Sequence, residues 1–251
     1  LVRAGYSGKI FAVNRNGGTV HGIAAVTQCS SIGEPVDAAL LMVPESALIE
    51  TIADLRSINA AGAVILSAGF AEMGDEGRRR QQAIAEAARA AGVRLLGPNC
   101  LGFVNFVDRV PLWTVQQRRG LTNPTIAIVS QSGALASHLE QFAFQQRIGL
   151  THLISTGNEA DITIADAVDY LVARSEAQAI ALFLETVRDR TAFLGAVGRA
   201  NAAGKAIVLL KVGASAHDLR RDDRHHLDRL GQQARRADTV ADRRTVRRRT
   251  R

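Results

Sequence analysis

The chain is short of the residue types that mark secreted, membrane-spanning or base-stacking proteins. Two cysteines, Cys29 and Cys100, supply neither a disulfide framework nor metal-ligand spacing, which fits a reducing cytoplasm. Gly, Asp or Arg interrupts every apolar run well before the ~20 residues that a membrane-spanning helix needs. The opening "LVRAGYSGKI" has no apolar core followed by a small-residue cleavage site, so it does not read as a signal peptide. It also lacks an initiating Met and reads as the end of a helix, which points to a missing start.

Lysine and glutamate vanish from the last stretch. From His217 to Arg251 there are 12 Arg and 6 Asp with no Lys or Glu, which leaves residues 1–216 with 19 basic and 18 acidic groups. The net charge of +7 therefore belongs almost wholly to residues 217–251. A basic surface spread over the whole chain would suggest phosphate-backbone binding through counterion release. Here that argument is confined to the tail, which has no aromatic residue to stack on bases, so a nucleic-acid partner is disfavoured. With so little apolar surface to bury, the tail is expected to be disordered. Its abrupt composition is what a shifted reading frame of a GC-rich gene would produce; a genuine basic extension is the alternative.

What the chain does have is alternation. Apolar runs at 9–14, 37–43, 62–68, 93–97, 125–130, 150–156, 178–185 and 205–211 alternate with longer stretches of helical period at 45–61, 75–91, 133–147, 161–174 and 189–203. Nearly continuous apolar strands separated by amphipathic helices predict an α/β fold of doubly wound parallel sheets. The Pro-containing, aperiodic stretch 107–124 predicts a boundary near residue 120, with Trp113 packed in it. In such sheets function gathers beyond the carboxyl ends of the strands.

Two of those strand ends carry a physical signal. In "IVSQSGALASHLEQ" a strand passes through Ser130 and Ser132 straight into a helix, whose first-turn N–H groups make an anion site; Ser132 serving only as N-cap is the competing reading. In "LLGPNCLGF" a rigid turn presents Asn99 and Cys100, where a buried, inert thiol competes with a reactive one. Elsewhere the residues support plain readings. "EGRRRQQ" (76–82) reads as the solvated start of a helix, His138 as an ordinary helix histidine, and the carboxylates of 157–166 as helix caps or as groups near a metal or nucleotide.

"SAGF.E.G.EG", "RLLGPNCLGF", "IAIVSQSGALA", "STGNEADI" and "IALFLETVRD" together resemble, in order and spacing, the NDP-forming acyl-CoA synthetases. That superfamily includes the succinyl-CoA synthetase α subunit and ADP-forming acetyl-CoA synthetase, and the resemblance covers roughly residues 1–216. It implies a Rossmann-like CoA-binding domain (1–120), a flavodoxin-like ligase domain (121–216) and then the tail (217–251). It further implies interconversion of acyl-CoA, phosphate and NDP with the free acid, CoA and NTP through an acyl phosphate and a phosphohistidine. Carried over by position, Asn14, Arg15, Val43, Pro44, Ser67, Ala68 and Gly69 would line the CoA site, with Asn99 and Cys100 near the thioester end. Ser132 and Gly133 would open the phosphate-holding helix, and Glu185 would orient the phosphohistidine; a solvated strand-end carboxylate is its plain alternative. No metal site is implied.

Two departures from the family pattern stand out. The first strand and Gly-rich loop that cradle the CoA pyrophosphate would precede Leu1. The Ser-His-Thr-Gly type loop expected beyond "AIVLLKVGAS" has no counterpart, since His217, His225 and His226 lack its flanking small residues. The resulting expectation is a cytoplasmic acid–CoA ligase component that takes an acyl-CoA or carboxylic acid. Coenzyme A and phosphate would bind directly, and ADP or ATP through a partner ATP-grasp β-type subunit or a missing C-terminal domain. The alternatives are a CoA- or acyl-CoA-binding module without turnover, and a basic-tailed nucleic-acid binder.

Overall fold

The computed structural model describes residues 1–116 and 123–212. The tail expected to be disordered, with His217, His225 and His226, lies outside the described residues. Most of the described chain, Leu1–Leu210, forms one compact unit.

The first half holds two small sheets. β1 (Ala12–Val13) pairs in parallel with β3 (Ile23–Val26), which pairs antiparallel with β2 (Thr19–Val20). The second sheet is parallel, in the order β4 (Ala38–Leu41), β5 (Gly62–Ile65), β6 (Arg94–Leu96). Side-chain alternation along β5 sends Ala63 and Ile65 to one face and Val64 to the other. On the first face, α1 (Leu48–Leu55) and α2 (Asp75–Ala91) bury Leu48, Ile52, Leu55, Ile84 and Ala88 against the sheet. α2 begins with Asp75 and Glu76, carries Arg89 in its last turn, and stops at Gly92, whose φ of +75° suits glycine. Those charges complement the helix dipole at both ends.

The second half is a six-stranded sheet ordered β12 (Ala206–Lys211), β11 (Ala179–Leu184), β9 (Ile126–Ser130), β10 (Leu150–Ser155), β7 (Gly102–Asn105), β8 (Val110–Trp113). Its parallel members are β9, β10 and β11; β12 is the edge next to β11. All six residues of β10 are buried, which is why its sequence does not alternate. α3 (Gly133–Gln145) covers one face, closing Ala136 and Ala143 over Ile128 and Leu153. On the other face α4 (Ile164–Val172) and α5 (Arg190–Ala202) bury Val168, Leu171, Phe193 and Ala196 against Ala127, Val129, Ile180 and Leu182. α4 starts with a capping box in which Thr163 and Asp166 bond reciprocally.

The stretch read as aperiodic, 107–124, contains a strand, which pairs with another just before it. β7 and β8 form an antiparallel hairpin, and β7 pairs antiparallel with β10. Trp113 packs against the α3-side core from β8.

Candidate functional site

The loops after β4, β5, β6 and β10 are tied together at one end of the strands. The Ser67 hydroxyl donates to the Val43 carbonyl at 2.9 Å, joining Val43 and Pro44 to the Ser67–Gly69 segment. Gly69 takes φ +103°, and its neighbourhood is held from both sides. The Gly69 and Phe70 N–H groups donate to one Glu72 carboxylate oxygen, at 2.6 and 3.1 Å, while Arg80 donates to the Gly69 carbonyl at 2.7 Å. Arg80 also pairs with Glu45 at 2.9 Å. So "EGRRRQQ" is only partly a solvated helix start: Arg78 and Arg79 pair with Asp75 and Glu76 at the surface, and Arg80 turns inward to the loop.

Asn14 and Arg15 stand after β1, on the other small sheet. The Asn14 side chain accepts from the Asn16 N–H at 2.9 Å and its carbonyl accepts from Gly17 at 2.7 Å, folding "NRNGG" into a turn. Arg15 reaches Glu50 at 2.8 Å, both side chains largely exposed. Such a surface pair contributes only about 0–1 kcal/mol, so an anionic ligand competes for this guanidinium at little cost.

The turn after β6 sits between the two halves of the site. It contains a cis Gly97–Pro98 bond, with Asn99 at φ +57°. The Asn99 N–H donates to the Ser67 carbonyl at 2.9 Å. Gly157 lies hard against the turn: a Cβ there would stand 2.3 Å from the Pro98 carbonyl oxygen and 2.7 Å from that of Asn99. Cys100 points into the core, 4 % exposed. Burial pushes its thiol up to about 12, so at neutral pH it is a protonated packing group and not a thiolate. What Cys100 contributes is the turn's anchorage, with Sγ 3.5 Å from the Ile65 carbonyl.

Across the turn stands the start of α3. Ser132 is its N-cap, accepting from the Leu135 N–H at 3.3 Å. The capping reading therefore describes Ser132 itself, and the Gly133 and Ala134 N–H groups precede that capped donor at the helix mouth. The Ser130 hydroxyl donates to the Ser132 carbonyl at 2.8 Å and braces the approach. Gly133 is needed for close approach, because a Cβ there would lie 2.8 Å from Leu101 Cγ. The Leu101 N–H in turn donates to the Ser155 hydroxyl at 3.3 Å.

Gln131, between the two serines, joins three strand ends. Its amide oxygen accepts from the Glu185 and Thr186 N–H groups at 2.6 and 2.9 Å. Its amide nitrogen donates to the Thr186 carbonyl at 2.8 Å and to Glu159 at 2.9 Å. Glu159 is buried at φ +55° and also accepts from Thr156 Oγ1 and the Ile164 N–H. Burial raises its pKa against the opposing pull of those hydrogen bonds. The Glu185 carboxylate is exposed beyond this junction, and its backbone N–H is held by Gln131. Of the other carboxylates in 157–166, Asp166 caps α4 and Asp161 receives Arg94 and the Leu95 N–H, both at 2.8 Å. Among the described residues no three His, Cys, Asp or Glu side chains cluster as metal ligands, and no helix is long and apolar enough to cross a membrane.

The structure thus brings Val43, Pro44, Ser67, Ala68, Gly69 and Asn99 to one side of the turn, and Ser132, Gly133 and Glu185 to the other. Glu72, Gln131 and Asn158 were not singled out from sequence, while Arg80 was read only within "EGRRRQQ" and Glu159 only among the carboxylates of 157–166. Glu72, Gln131, Asn158 and Glu159 lie inside the quoted motifs, which was the available signal.

Comparison with known proteins matches residues 1–105 to a CoA binding domain and residues 123–249 to a succinyl-CoA ligase like flavodoxin domain. A prokaryotic trans-feruloyl-CoA synthase is 37% identical over 218 residues, 86% of this chain and 31% of its own length. The α subunit of the ADP-forming acetate–CoA ligase II of Pyrococcus furiosus is 33% identical over 209 residues, 83% of this chain and 45% of its own. Among solved structures, the dinucleotide-forming acetyl-coenzyme A synthetase 1 of Ca. Korarchaeum cryptofilum, in complex with phosphate and ADP, superposes with TM-score 0.79 at 25% identity. That likeness covers 86% of this chain and 46% of the other. The chain spans less than half the length of each of these proteins.

Proposed function

The chain belongs to the NDP-forming acyl-CoA synthetases, with a CoA binding domain followed by a succinyl-CoA ligase like flavodoxin domain, and from that premise we propose that it carries the CoA and acyl-phosphate side of an acid–CoA ligase. The reaction is the interconversion of acyl-CoA, phosphate and NDP with the acid, CoA and NTP. One observation carries the reading. The turn Gly97–Leu101 touches Ser67 of the CoA-side loop through Asn99 and packs Leu101 on Gly133 at the α3 N-terminus. A thioester carbonyl lying at that turn has CoA on one flank and, on the other, a helix N-terminus that suits a phosphoryl group.

On this reading Val43, Pro44 and Ser67–Gly69 hold the CoA chain, and Asn14 and Arg15 receive its phosphate end. Gly133 and the helix mouth neutralise phosphate, and Glu185 orients an incoming imidazole. ADP or ATP is handled by an ATP-grasp partner, whether subunit or domain, in line with the separate α subunits among the relatives. The work of this chain is then positioning and electrostatics around an acyl phosphate.

A second reading, a CoA- or acyl-CoA-binding module without turnover, draws on where the described histidines stand. Of the three described histidines, His152 is buried in β10, His138 is exposed within α3 and His21 is exposed in the turn between β2 and β3, so none lies on the loop that enters α3. Calorimetric titration of the whole chain with CoA and acetyl-CoA tests both readings, each expecting binding. Incubation with acetyl phosphate, followed by a search for an acid-labile, base-stable phosphoryl group on the chain, separates them. The ligase reading expects labelling that Glu185→Gln reduces at least about tenfold, the effect of removing an oriented charged contact. Absence of CoA binding sinks both.

A further inference from the structure

Asn158 occupies the point where the CoA-side loop, the Gly97–Leu101 turn and the loop after β10 meet. Its side-chain nitrogen donates to the second Glu72 carboxylate oxygen and, at 3.2 Å, to the Gln81 side-chain oxygen. Its side-chain oxygen accepts from Asn99 at 3.3 Å, its own N–H donates to the Pro98 carbonyl at 2.9 Å, and its carbonyl accepts from Gln81 at 3.2 Å. Glu72 spends its other oxygen on the Gly69 and Phe70 N–H groups. A continuous path of hydrogen bonds therefore runs from the loop after β10 to the backbone of the loop after β5.

Each amide in this path has a fixed sense. The Gly69 and Phe70 groups are donors and need an acceptor, so Glu72 must face them with oxygen. Its other oxygen is then an acceptor too, so Asn158 must present nitrogen to it. That orientation leaves the Asn158 oxygen for Asn99, which donates. An ionised carboxylate shared among three N–H donors makes the stronger, charge-assisted kind of bond. Burial alone would raise the pKa of Glu72, and the bonds from Asn158, Gly69 and Phe70 bring it instead below the usual value.

We infer that Asn158 and Glu72 are positioning residues for CoA: through them the loop after β10 sets the backbone of Ser67–Phe70 in the shape that CoA meets. Neither side chain is assigned a contact with the cofactor. The role rests on the CoA reading of Ser67–Gly69, and it makes the ligase-side loop a determinant of CoA affinity at a point 86 residues away along the chain.

The test uses the whole chain and two readouts. Hydrogen–deuterium exchange of the peptide covering 67–72 reports the latch without any ligand, and calorimetric titration with CoA reports its consequence. Asn158→Asp sets one carboxylate against another, and the expected result is about tenfold faster exchange in 67–72 with CoA affinity about tenfold lower, the scale of one lost charge-assisted bond. Asn158→Ala should do the same with no new charge. In the double variant Glu72→Gln with Asn158→Asp the amide and the carboxylate trade places across that bond, while the new carboxylate faces the Gln81 oxygen to which Asn158 donated, so exchange and affinity should recover in part, by at least about threefold over Asn158→Asp.

Unchanged exchange in 67–72 for both Asn158 variants, or a double variant no better than Asn158→Asp, overturns the inference. Exchange of the peptides of α2 and β10 serves as the folding control, since a general loss of structure would speed those as well. A parent chain that does not bind CoA removes the CoA reading, and with it the role in CoA binding; the exchange data then decide on their own whether the two residues hold the loop.

Discussion

His152 shows how one buried ring can set the acid stability of the fold. It lies in β10, 1 % exposed, with Nε2 3.4 Å from the Tyr170 hydroxyl and Nδ1 without a hydrogen-bond partner among the described residues. Tyr170 meets it edge-on at 5.5 Å, and behind Tyr170 stands Arg174, which pairs with Asp108 and Glu176. Burial, and then the positive charge of Arg174, lower the imidazole to about 4. The unfolded chain titrates near the ordinary value of about 6.5, so between these values the unfolded state holds more protons. Stability contributed by the neutral ring is complete above about 6.5 and is lost as pH falls toward 4, by roughly 2–3 kcal/mol. Urea midpoints of the parent and His152→Leu, taken at pH 7.5 and 4.5, should differ in slope, with the variant losing less on acidification. Parallel losses in the two proteins would show that the ring does not carry this term. Nothing in "LTHLIST" marked the residue, because the feature that matters is what α4 places beside it.

At the scale of elements, all five α-helices among the described residues were legible from apolar spacing of period near 3.6, and α2 coincides with 75–91. The strands of the parallel sheets were legible as apolar runs. β2, β3, β7 and β8 were not: "GFVN" and "VPLW" are short, contain Pro or Asn, and become strands only by pairing with β10 and with each other, as β2 and β3 do by pairing with each other and with β1. The site divides in the same way. Ser132, Gly133 and the Ser67–Gly69 loop could be read from local chemistry, whereas Gln131, Asn158 and Glu72 act through partners 28 to 86 residues distant.

Two helical glycines carry a prediction that propensity alone gets wrong. Glycine inside a helix ordinarily costs about 1 kcal/mol relative to alanine. A Cβ at Gly77 in α2 would lie 1.7 Å from the Phe70 carbonyl oxygen, where backbone cannot yield cheaply, whereas one at Gly198 in α5 meets nothing within 4 Å. Gly77→Ala should destabilise by roughly 2–4 kcal/mol by forcing α2 off the loop, and Gly198→Ala should stabilise by about 0.5–1 kcal/mol. Chemical denaturation of both variants checks the contrast; a stabilised Gly77→Ala would mean that α2 does not sit this close to the loop.

For the whole of Leu1–Leu210, the question is whether two family domains make two folding units or one. Packing favours one. Val64 and Leu96, on the face of the first parallel sheet turned away from α1 and α2, belong to the same buried cluster as Ala127, Val129 and Leu182 of the six-stranded sheet and Ile164 of α4. The hairpin β7–β8 adds covalent continuity, since it leaves the first half and completes the sheet of the second. Unfolding either half alone would strip water-excluded surface from the other, at a cost comparable to the stability of either. The chain has one tryptophan, Trp113 on β8, so its fluorescence reports the six-stranded sheet, while far-ultraviolet circular dichroism follows the helices of both halves. The two probes should give coincident urea transitions. Val64→Ala, a truncation in the first half worth about 2 kcal/mol, should move both midpoints together. A Trp113 transition that stays in place while the dichroism shifts would mean that the shared cluster does not couple the halves.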